Sequence, residues 1–235
     1  MKPVAPVTKY VMSWCSPPRG SAAAQHYPGA QAPRARSASI VSLMHVELQE
    51  PAVAWRIPLD RFHEMVDGGL LGENDRVELI EGVLVAMSAK GPEHDAAVEW
   101  LTERLVTALA GRASVRVQSA LTFEGLASEP EPDLVVVARD APRPRHPSAA
   151  LLVIEVAVSS LSYDRRVKSP LYARAGVPEY WIVDLVGEAV ERSWDPRPDG
   201  YAGGERLTAG ATLEPAIAGA PVIAVGELLD FAFRR

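Results

Sequence analysis

The sequence predicts a mixed-sheet α/β or α+β domain, in which a central β-sheet is flanked by helices. Residues 134–138 and 151–158 are nearly continuous runs of β-branched and other apolar residues. Such runs are typical of central strands that are covered on both faces. Elsewhere, apolar residues recur at helical spacing, so helices and strands alternate along the chain. This order of elements favours a layered domain with helices on the sheet.

The first predicted elements are a helix and a hairpin. The apolar residues from Leu59 to Val66 have the spacing of a short amphipathic helix, which Gly68-Gly69 should end. Residues 76–87 read as two short strands with Glu81-Gly82 at their turn.

The later elements follow from the same periodicities and from glycine and proline breakers. In chain order we expect a helix over 98–109, a strand over 115–123, strands over 134–138 and 151–158, a helix over 164–175, a strand over 180–185, and short strands and turns to the end. The expected strand over 115–123 includes Leu121 and Phe123.

The composition is that of a globular protein, and it excludes several classes. Of the 235 residues, 48% are hydrophobic and 23% charged, and the net charge is −6. These values argue against a wholly disordered or fibrous chain and against a generally basic nucleic-acid coat. With no run of eighteen apolar residues, no membrane partner is expected. The single cysteine, Cys15, favours a reducing, cytoplasmic setting.

Residues 1–50 are predicted to be a disordered extension, followed by a folded domain over 51–235. The first 46 residues contain five Lys or Arg, no Asp or Glu, and several prolines. A targeting peptide, a nucleic-acid-binding arm and a plain flexible extension are the alternatives, and we favour the last.

Two carboxylates interrupt the apolar pattern of the predicted central strands. Glu155 lies inside one strand, where an unpaired acid is costly, and Asp133 opens the strand before it. If these strands form a hairpin centred near residue 144, the two side chains face each other. Like charges so placed need a divalent cation, a shared proton or an arginine between them.

Further polar residues accompany this pair. Lys168 and Tyr172 lie four residues apart on one face of the predicted helix, with Asp164 one turn earlier. Pro170 predicts a kink or a later start of that helix. Lys168 alone would be read as a solvated lysine, so its proximity to the two acids decides its interpretation.

Three more candidates come from the first half of the domain. Glu78 projects from the hairpin and could equally pair with Arg76. His94 could start its helix or contact a phosphate of the substrate. Gln118 shares a strand face with Arg116 and is a possible substrate contact.

At these residues the chain resembles the Uma-type restriction endonuclease family of the PD-(D/E)xK nuclease superfamily. The resemblance covers about residues 55–190, and the order and spacing of its motifs are specific. The matching stretches are Arg76–Gly82, His94 at a helix start, Glu131–Val137, Val153–Ser159, Asp164–Lys168 with Tyr172, and Gly176–Asp184.

The resemblance implies a restriction-endonuclease-like fold, phosphodiester hydrolysis on DNA, and a homodimer. It assigns Asp133 and Glu155 as the two acids of the motif and Glu78 as the early glutamate. The lysine expected two residues after the second acid would fall on Ala157, so Lys168 takes the part of a migrated lysine. Asp133, Glu155, Glu78 and Lys168 are thus the expected catalytic residues.

The residue types favour Mg²⁺ or Mn²⁺ as the cofactor. Carboxylates suit these hard cations, and the chain lacks a Cys/His cluster that would favour Zn²⁺. Asp133, Glu155 and Glu78 are the expected metal ligands. The alternative function is a catalytically silent module of the same fold that binds nucleic acid or protein.

Overall fold

A computed structural model describes residues 54–72, 74–141 and 143–233; the extension predicted at 1–50 lies outside them. The helices are α1 (Leu59–Asp67), α2 (Pro92–Ala108), α3 (Leu161–Tyr163), α4 (Ser169–Arg174) and α5 (Val225–Phe233). The strands are β1 (Val77–Ile80), β2 (Val83–Ala86), β3 (Ala113–Val117), β4 (Leu134–Ala138), β5 (Leu152–Ala157), β6 (Glu179–Asp184), β7 (Ala189–Arg197), β8 (Gly200–Thr208), β9 (Thr212–Leu213) and β10 (Ile223–Ala224). A 3₁₀ turn spans Glu124–Leu126, and a π-helical turn, Asp164–Lys168, joins α3 to α4.

The central feature is a six-stranded mixed sheet with the order β3-β4-β5-β6-β7-β8. Only β5 and β6 are parallel, and the other neighbours are antiparallel. A parallel pair needs a crossover, which the helical segment 161–174 supplies. β1 and β2 form a separate antiparallel hairpin. The predicted mixed sheet flanked by helices is confirmed.

The two faces of the sheet have different coverings. Leu152, Ile154 and Val156 of β5 belong to the core layer that includes α2 and α5. Val153 and Ala157 belong to the opposite layer with residues of α4. Because side chains alternate along a strand, Glu155 points toward the α4 side. The helix on that side can therefore reach its carboxylate.

The register of the β4–β5 hairpin agrees with the sequence prediction. Leu134 pairs with Ile154, and Val135 pairs with Val153. Extending this antiparallel register by one residue places Asp133 opposite Glu155. The loop that joins the two strands lies at the other end of the hairpin.

The predicted strand over 115–123 is wrong in its second half. β3 ends at Val117, because Gln118 has a φ of 45°, outside the extended region. Leu121 and Phe123 lie beyond this bend and join the core layer on the α4 side, whereas Val115 packs on the other layer. The prediction failed because apolar residues continue to alternate in the sequence beyond Val117, where the strand has already ended.

The C-terminal part is more regular than predicted. Instead of short strands and turns, β7 and β8 are nine residues each and pair closely. The chain also forms α5, which the sequence reading missed and which buries Leu228 and Leu229 against α2 and the sheet. None of the helices in the described ranges is both long and apolar enough to cross a bilayer.

Leu105→Ala should destabilise the fold by about 2–5 kcal/mol, because it opens a cavity in the layer between α2 and the sheet. Val106→Ala is the matched control: it removes an aliphatic side chain from the next position of α2, where the residue is 48% exposed. It should cost less than about 1 kcal/mol. Urea unfolding measures both values, and equal losses would contradict this core assignment.

Candidate active site

Asp133 stands just before β4, and both of its carboxylate oxygens accept hydrogen bonds. Lys90 Nζ lies 2.9 Å and His94 Nε2 lies 3.0 Å from Oδ1. The backbone N–H of Val156, in β5, donates to Oδ2 at 2.9 Å. Asp133 thus links the two strands at the end of their ladder, and α2 brings its first turn to the same point.

Glu155 is buried and paired on one oxygen. Lys168 Nζ and the Tyr172 hydroxyl each lie 2.9 Å from Oε1. Both donors come from the crossover segment, which packs on the sheet face toward which Glu155 points. Lys168 Nζ also lies 3.2 Å from Glu78 Oε2, so one ammonium bridges two acids.

Glu78 comes from the separate β1–β2 hairpin. Its Oε1 accepts from the Tyr163 hydroxyl, and its Oε2 accepts from the backbone N–H of Glu131, each at 3.2 Å. The hairpin is fixed near the sheet by the N–H of Glu129, which donates to the carbonyl of Leu79 at 2.7 Å. Three separated parts of the chain therefore meet around Lys168.

A π-helical turn sets the position of Lys168. Pro170 lies in the first turn of α4, where its missing N–H is tolerated. Before it, the N–H of Ser169 donates to the carbonyl of Asp164 in the wide i→i+5 pattern. The predicted helix over 164–175 thus begins earlier, at Leu161, and contains this turn. Single π-helical turns occur often at functional sites.

Burial governs the pKa of Glu155. It raises that pKa to about 8, and the nearby charge of Lys168 only partly opposes the effect. The carboxylates of Asp133 and Asp164 raise it further. Lys168 itself has a pKa well above its usual value, because the surrounding acids outweigh the cost of burying its charge. Burial thus makes Glu155 bind its proton more tightly than an exposed glutamate does, while the acids around Lys168 favour its charged form.

The pKa of Asp133 moves in the opposite direction. Burial alone would raise it, but the hydrogen bond and charge of His94, the charge of Lys90 and the N–H of Val156 lower it to about 2. Asp164, which accepts from the Ser160 hydroxyl at 2.6 Å, has a pKa that burial raises to about 6. The two opposed acids of the hairpin thus differ sharply in their affinity for a proton.

The donor set fits a hard divalent cation. The cluster contains more acids than lysines. Its lysines are Lys90 and Lys168, and its acids are Glu78, Glu131, Asp133, Glu155 and Asp164. With the acids ionised, the cluster lacks positive charge, which a divalent cation would supply. In the part of the chain that the structure describes, no three His, Cys, Asp or Glu side chains already converge as ligands. Instead, the ammonium group of Lys90 is paired with Asp133, and that of Lys168 is paired with Glu155.

An open cleft of about 1040 Å³ adjoins Asp133. Lys90, Gln118 and Glu131 line its end near the site. The N–H of Gln118 donates to the carbonyl of Asp133 at 3.0 Å. Further along, the cleft is lined by the acids Asp75, Asp95, Glu99 and Glu103.

The structure brings together most of the residues that the sequence singled out. Asp133, Glu155, Lys168 and Glu78 form one cluster, and His94 contacts Asp133 directly. Gln118 lines the cleft and bonds the backbone carbonyl of Asp133. Glu78 does not pair with Arg76 as the alternative had it; its partners are those given above.

Sequence reasoning missed Lys90, Tyr163 and Glu131. Tyr163 had no distinguishing pattern, and Glu131 appeared only as the first residue of a stretch that matches the family. Lys90 had one: the chain contains four lysines against twenty arginines, and beyond residue 46 the only lysines are Lys90 and Lys168. Both lie in the site. A lysine offers a compact charge where arginine would present a broad fork.

Two acids face each other at the end of the β4–β5 ladder, and Lys168 of the crossover segment contacts one of them, which is the arrangement that the resemblance to restriction-endonuclease-like proteins implies. The chain belongs to the Uma2 family, described as "Putative restriction endonuclease", which matches residues 59–222. The resemblance seen in the sequence is thereby confirmed, and the family places the chain among nuclease-type proteins.

Several solved structures match the fold, and one of them is similar over most of this chain. It is a "putative nuclease" of the DUF820 type from Anabaena variabilis, 16% identical, with a TM-score of 0.60. The match covers 75% of this chain and 99% of that one. At this identity the likeness is one of fold. None of the curated proteins matches the sequence.

In EDTA, the wild-type protein should lose stability relative to Glu155→Gln as the pH rises from 5 to 8. Glu155 keeps its proton in the folded state up to about pH 8, but in the unfolded chain it releases it near the usual 4.5. Folding therefore binds a proton in this window, and the advantage fades toward pH 8, by more than about 1 kcal/mol.

Urea unfolding at several pH values checks this difference. Asp164 titrates in the same window in both proteins, so the difference between the two curves reports mainly on Glu155. Glu227→Gln, on the exposed surface of α5, should run parallel to wild type. Parallel curves for wild type and Glu155→Gln would show that Glu155 is ionised throughout.

Proposed function

We propose that this protein is a Mg²⁺- or Mn²⁺-dependent endonuclease that hydrolyses phosphodiester bonds of DNA. The observation that carries the proposal is the placement of Asp133 opposite Glu155, with Lys168 bonded to Glu155. Family membership supports the nuclease class, whereas the cofactor, the DNA substrate and the roles of single residues are our inference.

The carboxylates would hold the cation. Asp133, with its low pKa, is ionised at any physiological pH and is the first ligand. Both hydrogen bonds to Glu155 described above end on Oε1, so Oε2 is the oxygen that we assign to the cation. Glu78 is the third candidate ligand. When bound, the cation would lower the pKa of a water molecule and offset charge on the phosphate.

The remaining groups position the reacting atoms. Tyr172 fixes the rotamer of Glu155, and His94 fixes that of Asp133. Lys168 holds a buried positive charge beside the acids, where it can orient the attacking water or balance charge on a phosphate oxygen. Gln118, which lines the cleft, would contact the substrate strand.

We also propose that the protein acts as a homodimer, as the family likeness and the two-fold symmetry of duplex DNA suggest. Sedimentation of the full chain with and without duplex DNA tests this point. A monomer in both conditions would contradict it and leave the chemistry of the site unaffected.

Glu155→Gln, Asp133→Asn and Lys168→Met should each lower DNA cleavage by at least about a hundredfold, because each removes a ligand or a charge at the reacting centre. Supercoiled plasmid and single-stranded DNA with Mg²⁺ or Mn²⁺ are the substrates, and EDTA should abolish cleavage. Glu227→Gln, whose carboxylate lies 3.5 Å from Arg104 on the other side of the sheet, is the matched control.

The outcomes separate the two candidate functions. Cleavage that survives in all three variants would mean that the site is wrong. Absence of both cleavage and Asp133-dependent cation binding would favour the catalytically silent binding module.

A further inference from the structure

Lys90 occupies a distinctive position on Asp133. It lies in the short segment between β2 and α2, and its ammonium is 2.9 Å from Oδ1. That oxygen is the one that His94 also contacts, at 3.0 Å. The Lys90 side chain is 15% exposed and lines the cleft, so it reaches the carboxylate from the solvent side.

The three groups that bond Asp133 differ in how readily they can leave. The N–H of Val156 belongs to β5 and is fixed by the sheet. His94 is 5% exposed and is held in the first turn of α2. Lys90 carries its charge on a flexible four-carbon chain that opens into the cleft. A ligand that approaches Asp133 from the cleft would displace Lys90 first.

We propose that Lys90 is an internal competitor for the divalent cation: its ammonium occupies the cation's place on Asp133 in the free protein and moves into the cleft when the cation binds. The inference rests on the proposed function, because it needs a cation at Asp133. It adds a regulatory element to that site, since cation affinity is set in part by a residue that is not itself a ligand.

The structure offers the displaced ammonium a destination. Glu131 lines the same cleft and is half-buried, and Lys90 acts on it electrostatically. Movement from Asp133 toward Glu131 would keep the lysine paired while the cation neutralises Asp133. The exchange therefore leaves no buried charge without a partner, which would otherwise be costly.

Lys90→Met should bind Mn²⁺ at least about tenfold more tightly than wild type, because no charge-assisted hydrogen bond has to be broken first. Lys90→Gln should act in the same direction and provides a second variant. Isothermal titration calorimetry of the full chain with MnCl₂, and with CaCl₂ as a second probe, measures the dissociation constants without any nucleic acid.

Thermal unfolding gives an independent readout, because the difference in melting temperature between Lys90→Met and wild type should change sign when Mn²⁺ is added. In EDTA, Lys90→Met should melt below wild type, because Asp133 has lost a partner. In saturating Mn²⁺ it should melt at or above wild type, because the cation replaces that partner and binds more tightly. A residue with a purely structural role would lower the melting temperature equally in both conditions.

Arg76→Met controls for the general loss of positive charge, because Arg76 lines the same cleft. It should change Mn²⁺ affinity by less than about threefold, since the groups that bond the Asp133 carboxylate are Lys90, His94 and Val156 and not Arg76. If Arg76→Met tightens binding as much as Lys90→Met, or if the folded Lys90 variants bind no more tightly than wild type, the inference is wrong.

Asp133→Asn distinguishes that failure from a failure of the proposed function. If wild type and Asp133→Asn bind Mn²⁺ equally, or if neither wild type nor the Lys90 variants bind it, then the metal site itself is misassigned. If wild type binds in an Asp133-dependent manner and Lys90→Met does not bind more tightly, only the inference about Lys90 falls.

Discussion

Glu155 carries a carboxylate into the middle of a buried strand, where an acid without partners would cost several kcal/mol. Lys168 and Tyr172 satisfy it through one oxygen, which requires the crossover segment to lie directly over that face of the sheet. Lys168 also contacts Glu78, and so connects the β1–β2 hairpin to the same cluster, although this hairpin shares no ladder with the six-stranded sheet. The need to pair one buried acid thus brings together two separate parts of the chain, and backbone bonds such as that from Glu129 to Leu79 fix the hairpin in place.

The two opposed acids show how nearby hydrogen-bond donors and charges can shift the pKa values of two carboxyl groups in opposite directions. Asp133 has a backbone N–H, a histidine and a lysine around it, and its pKa falls to about 2. Glu155, on the neighbouring strand, is buried to a similar extent but faces other acids, and its pKa rises to about 8. Pairs of carboxylates with such opposite shifts are a frequent feature of sites that handle protons. The difference arises from geometry alone, since both residues have the same functional group.

Much of this architecture was predictable because the decisive signals are local. The apolar runs of β4 and β5 fixed both strands, and their register placed Asp133 opposite Glu155, as found. Lys168 and Tyr172 both contact Glu155, as their four-residue spacing on one helix face predicted, although a π-helical turn includes Lys168. The failures have physical causes: Gln118 bends the chain without disturbing the apolar alternation, and Lys90 reaches the site through tertiary packing, which no local pattern records. Only the scarcity of lysine in the chain pointed to it.

The hairpin of β4 and β5 has a loop at one end and Asp133 and Glu155 at the other. Because this loop is long and not a tight turn, the register of the two strands depends on the ladder and on the burial of alternate side chains more than on the length of the loop. Insertions there would leave the acids in place, whereas one residue gained or lost within either strand would turn an acid to the other face. Variation among related chains should therefore be tolerated at the loop, which is also the natural point at which to graft an added recognition segment.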